Sequence, residues 1–397
     1  MKPSELKFTL NECKAIFHKS FHLEDDRLID VAAGTYAANR LGADPLWLLI
    51  LGPPSNTKTE ILQCFAGHSK AIFISTLTPN TLVSGFKPKN GLNPSLLPKL
   101  NNKLLVLKDF TSVLSMRQES RTEVIGQLRE AYDGKYDKSF GNGVTINWEG
   151  KFGFLGACTN EYDDHHAVIS SMGERFLLYR TRNHDNGAMG LRAHEMVGRE
   201  DEVRAEVREA FQKFIAQFDD LEAISFRENK DIINAIISLA CFVAIARTPV
   251  KRDYRGEVKP VLFHPEGSGR LTKQLKQLGY GLSLAYGKDS IDEDVLAVLR
   301  KVARDLVPTM RLMVIKHLWE RKACITEGAW RGTSEVAQSL DLPGSTTKTI
   351  CEDLMIVGGM KRDLIEECSE KGGRPGYLWQ LNDELTNWAA CSGVFDD

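Results

Sequence analysis

The sequence has no surplus of either charge: 51 Lys and Arg stand against 53 Asp and Glu, a formal net charge of −2 over 397 residues. No whole-molecule field can draw in nucleic acid or phosphate, so any such site must come from local clustering of cations. Paired cysteines are also missing. The eight cysteines (Cys13, Cys64, Cys158, Cys241, Cys324, Cys351, Cys368 and Cys391) are scattered, and no two come within metal-knuckle spacing. They are expected to be reduced thiols of a cytoplasmic protein. The start "MKPSELKFTL" lacks the apolar stretch of a signal peptide, so export is not expected. The greasiest run, "IINAIISLACFVAIA" (232–246), is shorter than the ~20 residues of a membrane crossing and carries Asn234, so it reads as a buried helix with no membrane partner. Repeats and low-complexity tracts are absent.

What is present divides into several regions, because single cores stop growing at about 250–300 residues. Residues 1–42 read as a helical lead-in, with Leu28, Ile29, Ala32 and Ala33 near helical spacing. From 43 to 185 short apolar runs alternate with helical patterns: "LWLLIL", "AIFIST", "LLVLKDF", "GFLGACTN" and "RFLLYR". Continuous apolar strands separated by helices predict an α/β fold with a parallel sheet covered on both faces. Residues 186–308 read as all-helical, through "EDEVRAEVREAFQKFIAQF" and "RLTKQLKQLGYGLSLA". In 309–397, three helical stretches and the β-rich "MKRDLIEECSEKGGRPGYLWQL" predict a winged helix-turn-helix domain.

The stretch "GPPSNTKTE" follows the apolar run "PLWLLIL" directly. A phosphate-binding loop of the form G-x-x-x-x-G-K-[ST] would place Gly52, Lys58 and Thr59 in register, with Thr57 where the second glycine belongs. In that reading Pro53, Pro54, Ser55, Asn56 and Glu60 complete the ATP-binding stretch. Main-chain N–H groups cradle the phosphates, Lys58 reaches the β/γ-phosphates and Thr59 ligates Mg²⁺. A β-branched residue at position 57 would cost ~1–2 kcal/mol if the loop needs a left-handed conformation there. The same residues would also suit a proline-rich strand-to-helix turn.

"LLVLKDF" ends an apolar run with Asp109, where a carboxylate would hold Mg²⁺ opposite Thr59. The Glu that usually follows such an Asp is missing, since the order is Lys108-Asp109-Phe110. Either Asp109 is the metal carboxylate and the water-activating Glu is absent or comes from elsewhere, with Glu130 as a candidate, or Lys108 replaces the carboxylate. The first is preferred, because a lysine in the metal shell would repel the cation. His165-His166 after Asp163-Asp164 read as a polar loop, since adjacent histidines do not readily reach one ion. His184 and His194 read as surface residues.

The order of these motifs resembles an AAA+ ATPase of the type related to minichromosome maintenance (MCM) helicases. That family carries G-x-P-[GS]-x-[AG]-K-[ST], with alanine often at the second glycine. The stretch "LREAYDGKYDKSFGNGVTINWEGKFGFLGACTN" is similar to the family's helix, pre-sensor hairpin and sensor 1 strand, with Asn160 at the sensor position. "MGERFLLYR" is similar to its arginine-finger segment, with Arg175 matching the finger. "HPEGSGRLTKQLKQL" resembles a sensor 2 helix, with Arg270 at its start. The resemblance covers roughly residues 25–300. It implies an AAA+ P-loop core, an all-helical lid and a homo-oligomeric, hexameric ring that hydrolyses ATP with Mg²⁺. In such a ring Arg175 would act on a neighbour's γ-phosphate, an effect of about 10³–10⁵ in rate where trans fingers are known.

DNA is the expected partner at two places. The hairpin "GKYDKSFGNGVTINW" turns at Gly141-Asn142-Gly143 and carries Lys135 and Lys138, with Asp137 offsetting one of them. In the C-terminal region, "STTKTICEDL" sets Ser345, Thr346, Thr347 and Lys348 in a first helical turn, and "SEKGGRPGYLW" supplies Lys371 and Arg374. The function expected is a helicase-like DNA motor. The rival is a nucleotide-controlled DNA-binding regulator with slow or no hydrolysis.

Overall fold

A computed structural model describes residues 6–396 except 55–56, 87–93, 167–168, 170–172, 182–184, 222–223, 254, 260–263, 322–329 and 365–375. The chain separates into two compact units, residues 1–229 with 276–298 and residues 230–275 with 299–397.

The first unit is built on a five-stranded parallel sheet of strands β1 (Trp47–Leu51), β2 (Ala71–Ile74), β3 (Leu104–Leu107), β6 (Gly153–Cys158) and β7 (Phe176–Arg180), in the order β2-β3-β6-β1-β7. These are the five apolar runs of the sequence. β1, β3, β6 and β7 are buried along their whole length, whereas β2 at the edge is half-buried. Continuous burial is what a parallel sheet with helices on both faces requires. The register sets Trp47 beside Phe154 and Phe176, and Leu51 beside Cys158 and Arg180.

Helices close the sheet. Arg27–Ala38 is buried from Leu28 to Ala38 and crosses Gly281 so closely that a Cβ there would lie 2.0 Å from the Gly34 carbonyl oxygen. Leu10–Ser20 packs on Glu200–Ile215 through an edge-on Phe17–Phe211 pair, centroids 6.2 Å apart. Between β3 and β6 the helix Gln118–Tyr132 leads into the antiparallel hairpin β4 (Lys135–Ser139) and β5 (Thr145–Glu149). Gly143, at φ 78°, supplies the left-handed residue of its turn.

In the second unit the apolar helix Lys230–Arg247 is buried and packs against Asp383–Ser392. No described helix is long and apolar enough to cross a membrane. Helices Thr309–Glu320, Thr333–Ser339 and Gly344–Ile356 accompany a small antiparallel sheet of β8 (Arg331–Gly332), β9 (Met360–Leu364) and β10 (Tyr377–Leu381), in the order β8-β10-β9. The compact units cut across the boundaries expected at 42, 185 and 308. The lead-in helices, Asn186–Met196 and Glu200–Ile215 belong with the parallel sheet, while Lys230–Arg247 belongs with the C-terminal helices. Periodicity shows that a segment is helical but not which core receives its apolar face.

Candidate functional site

Strand β1 ends at Leu51, and the Gly52 N–H donates to the Cys158 carbonyl at 3.2 Å, which fixes the start of the loop against β6. Ser55 and Asn56 lie outside the described residues. Thr57 precedes the helix Lys58–Gln63 with φ −55° and ψ −2°, in the ordinary right-handed region. The strain expected from a β-branched residue at the second-glycine position is therefore absent.

The Lys58 side chain turns back under the loop. Its Nζ donates to the carbonyls of Gly52 and Pro53, both at 2.6 Å, and the residue is only 6 % exposed. Burial pulls its pKa down to about 8, against the opposing influence of Cys158 and Asp109. Thr57, Thr59 and Glu60 line a cavity of about 430 Å³ whose other walls include Phe21, Met189 and Arg204. That volume suits a small-molecule ligand.

Asp109, two residues beyond β3, is exposed; one carboxylate oxygen accepts from the Thr111 N–H at 2.9 Å. Asn160, two residues beyond β6, is exposed at the start of the short helix Glu161–Asp164, where its side chain makes no capping bond. β6 lies between β1 and β3, so the turn bearing Asn160 lies between those that follow β1 and β3. Adjacent strands are about 4.8 Å apart, which separates the strands bearing the loop and Asp109 by roughly 10 Å. Lys58, Asp109 and Asn160 thus all follow strands at the carboxyl end of the sheet. No group of three or more His, Cys, Asp or Glu that could hold a metal occurs among the described residues. Thr59 and Asp109, the expected Mg²⁺ ligands, follow β1 and β3, which are separated in the sheet by β6.

Other expected residues lie elsewhere. Arg175 immediately precedes β7, at the opposite end of the sheet, roughly 20 Å from Gly52 by strand rise. Its guanidinium donates to Asp133 at 3.1 and 3.2 Å and to the Gly173 carbonyl at 2.6 Å, and it covers the Tyr132 ring. It cannot reach the loop between Gly52 and Thr59 of its own chain. Glu130 is exposed and pairs with Arg129 at 2.9 Å, and nothing carries it to Asp109. Arg270 opens the helix Gly269–Ala285 and belongs to the second unit. His166 is buried with its Nε2 3.8 Å from Glu174, and His194 is exposed; His184 lies outside the described residues.

On the hairpin, Lys135 is exposed, while Lys138 donates to Glu123 at 2.9 Å and sits over the Phe140 ring. The tip is anchored, since the Asn142 amide donates to the Gly85 carbonyl at 2.5 Å. In the second unit Thr347 is fully buried and its hydroxyl donates to the Pro343 carbonyl at 3.2 Å. This corrects its place among DNA-contacting residues: an i−4 bond inside the helix packing uses the hydroxyl. Thr346 is half-exposed, and Lys348 covers the Tyr377 ring and pairs with Glu352. Lys371 and Arg374 lie outside the described residues.

Sequence reasoning missed two ion pairs. Arg180, at the C-terminal end of β7, grips Asp163 with both terminal nitrogens at 2.7 and 2.9 Å, tying the turn after Asn160 to the strand beside the loop. An arginine closing an otherwise apolar strand was the available signal. Arg204 pairs with Glu60 at 3.1 Å across 144 residues of sequence, and no local pattern could have revealed it. No protein-family model matches the chain, and comparison with curated proteins finds no similar sequence.

Proposed function

We propose that the protein is an ATPase of the AAA+ type, resembling MCM-related helicases, which works with Mg²⁺ as a homo-oligomeric ring on DNA. The observation that carries this reading is that Lys58, Asp109 and Asn160 all follow the carboxyl ends of neighbouring strands of a parallel sheet, with Lys58 at the start of a helix. Ligands of open α/β sheets bind at the carboxyl ends of the strands, and a helix start with an ammonium suits phosphate. Lys58 would exchange the Gly52 and Pro53 carbonyls for phosphate oxygens, and Asn160 would orient the attacking water. Mg²⁺, held by Thr59 and Asp109, would neutralise phosphate charge.

Arg175 sits too far from its own loop to act in cis, so its catalytic use requires a neighbouring subunit and exchange of Asp133 for phosphate. The winged-helix reading of the C-terminal unit is supported by three helices with a three-stranded sheet, and DNA contact there would fall to Thr346 and Lys348. A regulator with little turnover is the second reading, favoured by the exposed Lys108-Asp109 pair without an adjacent Glu. DNA-stimulated ATP turnover that disappears in Lys58→Ala supports the motor. ATP binding with no turnover on any DNA supports the regulator.

A further inference from the structure

The helix Glu200–Ile215 runs along the helix that carries Lys58 and Thr59 and holds it at several points. Arg204 fastens Glu60 with three contacts, from Nε at 3.1 and 3.3 Å and from a terminal nitrogen at 3.1 Å. One turn on, Arg208 faces Cys64 closely enough for its charge to be felt there. Another turn on, Gln212 donates to the carbonyls of Cys64 and Ala66, both at 2.9 Å, taking up acceptors left free where that helix ends. The spacing i, i+4, i+8 puts all three on one face. Beside them the Phe65 and Phe211 rings meet edge-on at 5.0 Å.

Glu60 follows the Lys58-Thr59 pair directly and lines the same cavity as Thr57, Thr59 and Arg204. A carboxylate there is an anion at the mouth of a site read as binding a polyanion. Left free, it would repel phosphate and compete for Lys58. Other acids stand nearby, since the charges of Glu200 and Asp201 also reach Arg204. We infer that Arg204 is a positioning residue for the nucleotide, acting through Glu60: its fork neutralises that carboxylate and holds it away from the phosphates, keeping the pocket receptive to a nucleoside triphosphate. The inference rests on the proposed nucleotide reading of this site. A half-exposed ion pair contributes little to stability by itself, so its effect is expected in ligand affinity.

The test compares MgATP and AMP affinity, together with thermal midpoints, in the full chain carrying Arg204→Ala, Arg204→Lys, Glu60→Gln or the double change Arg204→Ala with Glu60→Gln. Arg204→Ala should weaken MgATP binding about tenfold and AMP binding much less, because repulsion grows with phosphate charge. Removing the carboxylate as well should bring MgATP affinity back to within about twofold of wild type, and Arg204→Lys, which keeps the charge but not the fork, should fall between wild type and Arg204→Ala. Midpoints should move little. Wild-type binding with an unaffected Arg204→Ala, or a double variant as weak as Arg204→Ala, overturns the inference while leaving the nucleotide site intact. A wild-type chain with no MgATP affinity overturns the site and the inference together.

Discussion

The two ends of the parallel sheet are built from opposite materials. At the N-terminal end Trp47 is fully buried among Tyr132, Phe152, Phe154 and Phe176, ring centroids 5.1–5.5 Å away, and its indole N–H donates to the Phe152 carbonyl at 2.8 Å. At the C-terminal end stand Gly52, Lys58, Asp109, Asn160 and Arg180, with an ammonium removed from water and satisfied by two loop carbonyls. One end gains stability from apolar burial. The other holds a desolvated charge at a cost, as the downward pKa of Lys58 shows.

This contrast can be broken in order of expected effect. Trp47→Ala should cost about 3–5 kcal/mol in urea unfolding, because the cavity it leaves is lined by rigid rings. Nucleotide affinity of the molecules that remain folded should change little. Lys58→Met should do the reverse, abolishing nucleotide affinity while leaving the thermal midpoint unchanged or raised, since a buried ammonium is replaced by an apolar chain of similar length. A Lys58→Met protein that is strongly destabilised would make the lysine a structural residue.

Arg175→Ala sharpens the comparison from the aromatic end. Its loss should reduce ATP turnover by about 10³-fold or more while nucleotide affinity stays within about twofold of wild type. Mixing it with Lys58→Ala subunits should restore part of the turnover, and no restoration would leave Arg175 as the ion-pair partner of Asp133. The smallest effect is expected at the loop itself. Thr57→Gly, which would relieve a left-handed backbone, should instead destabilise by about 0.5–1 kcal/mol in thermal unfolding, because Thr57 is right-handed.

Much of the sheet was legible because burial on both faces writes each strand as an unbroken apolar run, from "LWLLIL" to "RFLLYR". The hairpin was equally plain in Gly141-Asn142-Gly143. Lys58 could be picked out from the loop pattern and Asp109 from its place at the end of an apolar run, whereas Asn160 was singled out only through the family resemblance. Three kinds of information were not in the local pattern. Thr57 was weighed against a strained conformation that only the backbone could exclude. Thr347 looked available on a helix start, yet the face it occupies is set by packing with neighbouring helices. Arg204 meets Glu60 only after the sheet and its flanking helices have formed, so side-chain type and spacing carried no trace of the pair.

Calorimetric titration with MgATP in buffers of different ionisation enthalpy tests the buried ammonium most directly. With the folded pKa of Lys58 pulled down by burial to about 8 from an ordinary 10.5, the free protein should lose this proton as pH rises through about 8. Phosphate should restore it, so binding near pH 8.5 should take up a proton, and affinity should fall by up to about tenfold per pH unit above 8. The uptake should vanish in Lys58→Met. MgATP binding in wild type with no proton uptake and a flat pH profile, or no binding at all, would contradict the account.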